Sequence, residues 1–101
     1  MAITRNSLPM GDWLKGGILS TQVNVGATAT ALPTTALTNR RLLIVYNNSG
    51  GVIYLGDSTV TVTNGFPLAN GGTFEIKLDA GVTLYAIASA ANKDVRVFEG
   101  A

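Results

Sequence analysis

The six carboxylates of this 101-residue chain are Asp12, Asp57, Glu75, Asp79, Asp94 and Glu99, and they are the first place to look for chemistry. A glycosidase needs two of them facing each other across a cleft, about 5–5.5 or 6.5–9.5 Å apart. Glu75 and Asp79 share the outward side of one alternating segment, but four residues of strand separate them by about 13 Å. Asp57 and Asp94 fall where turns are expected, and Asp in a turn normally caps the backbone. There is no histidine and no cysteine. That removes the commonest general base, the commonest transition-metal ligand, the thiol nucleophile and the disulfide. A serine nucleophile would have to borrow Lys15, Lys77 or Lys93, and no Ser-x-x-Lys or Gly-x-Ser-x-Gly spacing occurs.

The remaining ligand chemistries are equally bare. Asn47, Asn48, Asp57, Asn92 and Asp94 are oxygen donors, but their spacing is not that of a calcium loop. Gly50-Gly51 and Gly71-Gly72 precede strand-like segments rather than helices, so they make no phosphate cradle. Seven Lys+Arg against six Asp+Glu give a net charge of +1, and only Arg40-Arg41 are adjacent. A nucleic-acid interface would gather such residues on one face. The pair sits where a loop enters an apolar run and reads as a solvated strand entrance. The expectation is therefore a protein without catalytic residues, cofactor or metal. Its chemistry would be contact between surfaces.

The elements that would present such surfaces are short strands. Residues 1–18 form an irregular lead broken by Pro9, Gly11, Gly16 and Gly17. It has no continuous apolar core of a secretion signal, and no segment approaches a membrane span, so neither membrane nor signal peptide is expected. Residues 19–31 read as a strand with a looser continuation. Residues 41–47 and 52–56 are apolar on both faces, so each is expected to be covered on both sides. The Asn/Gly cluster between them predicts a hairpin. Residues 59–63, TVTVT, alternate strictly and predict a half-exposed or edge strand. Asn64-Gly65 is a turn, and Pro67 bars a central strand just after it.

Residues 73–79 alternate with Phe74, Ile76 and Leu78 inward and Glu75, Lys77 and Asp79 outward. Residues 82–88 are again apolar throughout. In residues 94–99, Val95 and Val97 point inward and Arg96 outward. Tyr46, Tyr54 and Tyr85 lie inside these apolar runs and are expected in the core. No helical period is sustained. The fold class is all-β: an antiparallel β-sandwich or small barrel, jelly-roll or Greek-key-like, of about six to eight short strands. The division is an N-terminal arm over residues 1–18 and a sandwich domain over residues 19–101.

Charged residues make up 13% of the chain, about half the usual share, which leaves little surface charge to keep copies apart. Part of the surface is thus expected to be covered by other copies or a partner. Ile3, Leu8, Met10, Trp13 and Leu14 in the lead are the candidate contact residues. Trp13 either folds back on its own sandwich or anchors the lead elsewhere, as tryptophan does at interface centres.

Residues 38–100 resemble a module of tailed-bacteriophage virion proteins. The likeness is carried by LLIVYNNSG at 42–50, VIYLG at 52–56, NGFPL at 64–68, GGTFEI at 71–76, LYAIA at 84–88 and DVRVFE at 94–99. It implies a small non-enzymatic β-sandwich on the capsid surface of a virion, made in the host cytoplasm. Proteins of this kind include capsid decoration (cement) proteins, which sit as homotrimers on the head lattice with an N-terminal arm against the shell. Under that resemblance the partners are the major capsid protein and further copies of this chain, with no nucleic acid. The alternative it leaves open is a head-fibre or tail-associated attachment module that binds host surface glycans.

Overall fold

The computed structural model describes residues 14–101. Eight strands run in chain order: β1 (Ile18–Val25), β2 (Thr30–Ala31), β3 (Leu42–Asn47), β4 (Ile53–Gly56), β5 (Phe66–Leu68), β6 (Thr73–Lys77), β7 (Tyr85–Ile87) and β8 (Lys93–Gly100). They form two four-stranded antiparallel sheets, ordered β1-β8-β3-β6 and β2-β7-β4-β5. Only β4 and β5 are both consecutive and paired. Every other connection carries the chain from one sheet to the other. Two sheets wound together in that order make a jelly roll, so the all-β sandwich expected from the alternating segments is the observed fold.

The core lies between the sheets and is built from alternate residues of each strand. Val23, Val25, Leu43, Val45, Val95 and Val97 come from the first sheet; Ile53, Leu55, Leu68 and Ala86 come from the second. Phe74, Ile76, Leu78 and Leu84 pack against this cluster from its margin. The period-2 pattern of residues 73–79 and the inward Val95 and Val97 are as the alternation predicts.

Three local expectations are corrected. Residues 41–47 and 52–56 do not pair as a hairpin: β3 joins β8 and β6, whereas β4 joins β5 and β7. The cause is the buried Asn47. Its Nδ2 donates to Gly51 O and Leu68 O at 2.8 Å each, and its Oδ1 accepts from Ser49 N at 3.0 Å. The turn is thereby tied to β5 of the opposite sheet, and the chain crosses the sandwich.

Residues 59–63 are not a strand. Asp57 accepts from the amide and hydroxyl of Thr59, and Asn64 Oδ1 accepts from Thr61 N. Asp and Asn side chains at both ends satisfy backbone groups that a ladder would have used, so the segment closes into linked turns. Val60 is buried beneath it and Val62 is exposed.

The third correction concerns coverage. β3 is central in its sheet, yet among the described residues no second layer covers its outer side. Leu43 and Val45 are fully buried, Leu42 and Ile44 are half-buried, and Tyr46 is exposed. Tyr54 and Tyr85 are half-buried, so none of the three tyrosines is a fully buried core residue.

Candidate interaction surface

The outer face of the first sheet follows directly from its register. Three rows cross β1, β8, β3 and β6 in turn: Ile18, Gly100, Leu42, Lys77; then Ser20, Phe98, Ile44, Glu75; then Gln22, Arg96, Tyr46, Thr73. The middle of the face is apolar, contributed by Ile18, Leu42, Ile44, Phe98 and the ring of Tyr46. Ile18 is 64% exposed and Tyr46 42%, far outside the range of core side chains. Gln22, Ile44, Tyr46, Arg96 and Phe98 line a shallow depression of about 390 Å³.

Gly100 sets how the lead joins this face. A Cβ on Gly100 would collide with the methyl groups of Leu14, so the absent side chain is what lets Leu14 lie across β8. Gly16 N donates to Ala101 O at 2.6 Å and Ala101 N donates to Gly17 O at 2.9 Å, which prolongs the β1–β8 pairing into the last residues of the lead. Leu14 then borders a second depression with Arg41, Leu42, Glu75, Lys77 and Leu78. Of the contact residues expected from sequence, Leu14 is therefore at the apolar face. Ile3, Leu8, Met10 and Trp13 lie outside the described residues.

Two polar clusters brace the face from its ends. At one end Arg40 and Glu99 form an ion pair at 2.9 Å with both side chains almost fully buried. Arg40 also donates to the carbonyls of Leu78, Asp79 and Val82, and Glu99 Oε2 accepts from Leu37 N. Glu99 Oε1 is buried with no hydrogen-bond partner among the described residues. The expected solvated strand entrance is thus half right. Arg41 is exposed, but Arg40 turns inward to hold β8, the segment after β6 and residue 37 together. Simple alternation along 94–99 puts Glu99 on the same side as Val95 and Val97, and that was the signal for an inward carboxylate.

At the other end Asp94 sits in β8 rather than in a turn. Both its oxygens accept from Arg96, at 2.9 Å each, and Oδ2 accepts also from Asn48 Nδ2 at 2.8 Å. The guanidinium and then the Asn48 amide hold the Asp94 carboxyl down to about 2. The Thr59 hydroxyl and amide lower Asp57 in the same direction. Asp79 caps a turn by accepting from Gly81 N. The described carboxylates therefore serve ion pairs and turns, and Glu75 stands exposed on β6. Asp12 lies outside the described residues. Among the described residues no three His, Cys, Asp or Glu side chains converge as metal ligands, and the Asn47 amide is committed to backbone. This arrangement offers other molecules apolar contact, with charge at its margins.

No protein-family description matches the chain, and no curated protein is similar to it. One solved structure to which it is similar comes from work on Bacillus endospore appendages, described as a novel family of disulfide-linked pili. The match has 16% identity and a TM-score of 0.43, and covers 85% of this chain and 92% of that one. A likeness this low supports no functional argument. The disulfides in that description have no counterpart here, because this chain holds no cysteine.

Proposed function

We propose that this protein is a non-enzymatic virion structural protein of a tailed bacteriophage, a capsid decoration protein that binds and stabilises the head lattice as a homotrimer. The observation that carries the reading is the apolar outer face of the first sheet, uncovered among the described residues, with Leu14 lying against Gly100 of β8. The phage assignment itself rests on the sequence resemblance of residues 38–100. The mechanism is mechanical. A preformed jelly roll lies over a seam between major capsid subunits, and the lead adds apolar contacts. Weak contacts repeated around a three-fold axis sum to high avidity. A protein that binds only the expanded lattice stabilises that lattice by mass action.

Co-sedimentation with expanded capsids, together with the solution mass, tests the reading. Saturable binding by a trimer is expected. A strict monomer with no affinity for capsids would overturn it, and imaging of the virion would locate the bound protein.

One observation favours the second reading, an attachment module for host glycans. Tyr46 presents its ring on the outer face beside Gln22 and Arg96, an aromatic platform flanked by amide and guanidinium donors. Clear hits on a glycan array that vanish in Tyr46→Ala, without capsid affinity, would select this reading instead.

A further inference from the structure

We propose that the edge of β1 left unpaired among the described residues is a strand-addition site for β1 of a second copy, joining two first sheets into one continuous eight-stranded sheet across a two-fold axis. The argument begins with the four sheet edges. A strand at an edge presents unpaired N–H and C=O groups, and proteins guard such edges by shortness, proline or charge. β2 is two residues long. β5 is three residues long and carries Pro67. β6 carries Glu75 and Lys77, both exposed. Three edges thus bear recognised guards.

β1 has none of them. It is eight residues long, ILSTQVNV, with no proline and no charge, and among the described residues it pairs with β8 alone. Six of the eight residues are exposed or half-buried, including Ile18 at 64% and Leu19 at 42%. Thr21, Gln22, Val23 and Asn24 of β1 line an open depression together with Thr30 and residues 33–35.

Symmetry selects the occupant. An antiparallel strand matches an antiparallel edge, and β1 paired with a second β1 opposes no like charges while closing the contact by symmetry. Two identical antiparallel strands are exchanged only by a two-fold axis normal to the sheet. Outward residues then stay on one side, so the apolar faces of the two copies adjoin. One residue of β1 lies on the axis opposite its own copy. This contact goes beyond the decoration reading and does not depend on it; within trimers it would link one trimer to the next.

The absence of cysteine makes the test clean. Each of the eight β1 residues is replaced singly by cysteine in the full chain, with Thr73→Cys on β6 as control, and oxidised under mild conditions. A disulfide-linked dimer from at least one β1 variant, and none from the control, is expected. Gln22→Lys adds a guard at an exposed position and should halve the solution mass without lowering the unfolding midpoint. No cross-link at any of the eight positions, or a mass unchanged by Gln22→Lys, overturns the proposal. Either result would follow if residues 1–13 of the same chain occupy the edge. A trimer without cross-links overturns the β1 contact and leaves the homotrimer standing. A dimer that cross-links and is halved by Gln22→Lys supports the contact and overturns the homotrimer.

Discussion

Arg40 and Glu99 show how far a single side chain can be read before the fold is known. The alternation of residues 94–99 points Glu99 inward, but only the fold brings Arg40 to it from 59 positions away. Breaking a buried pair from one side leaves an uncompensated charge, at a cost of about 3–5 kcal/mol. Arg40→Ala is therefore expected to lose stability on that order, read from the urea midpoint at constant slope. Asp94 predicts a pH dependence of the opposite kind of site, one open to solvent. Its carboxyl is held near 2 in the folded chain, below the value of about 3.9 for an unperturbed Asp. A depressed carboxylate adds stability above the unfolded value, and that increment fades as pH falls from about 4 towards 2. Unfolding curves across this window should show that the parent loses more stability than Asp94→Asn. The sequence did not mark Asp94 as an ion-pair partner, because Arg96 two positions on meets it only when β8 is extended and both side chains share one face.

Strands were legible where alternation was strong, and connections were not. Residues 73–79 and 94–99 announce their inward sides, since a half-buried strand must alternate. Residues 59–63 alternate just as strictly and are not a strand. Asp57 and Asn64 win there by bonding the backbone locally, a competition invisible to hydropathy. The turn at Asn64-Gly65 is in place, and Gly65 explains why no other residue suits it. A Cβ there would stand 2.5 Å from Tyr54 Cβ and 2.9 Å from Thr61 O. Gly65→Ala should cost about 1–3 kcal/mol by overpacking, measured by thermal or urea unfolding, because a backbone carbonyl cannot swing aside as a side-chain tip would. The hairpin expected between residues 41–47 and 52–56 failed for a different reason. An Asn/Gly cluster signals that the chain turns, and the buried bonds of Asn47 decide which sheet it turns into.

On the scale of the whole molecule, the lead and the outer face belong together. Leu14, Gly16 and Gly17 are already engaged with Gly100 and Ala101. A truncation that tests the arm should therefore stop at residue 13 rather than 18. Deleting residues 1–13 is expected to leave the unfolding midpoint of the jelly roll unchanged and to abolish co-sedimentation with capsids; unchanged binding would show that the face alone grips. By itself the sequence determined the all-β class, the inward residues of the alternating strands and the lack of any histidine or cysteine chemistry. These follow from composition and from a two-residue period, both local properties of the chain. Tertiary structure alone decided that the eight strands wind into a jelly roll, that Arg40 is buried, and that the second apolar side of β3 stays open among the described residues. Those outcomes depend on which distant segments meet, and hydrogen bonds such as those of Asn47 and Arg40 exist only after they have met.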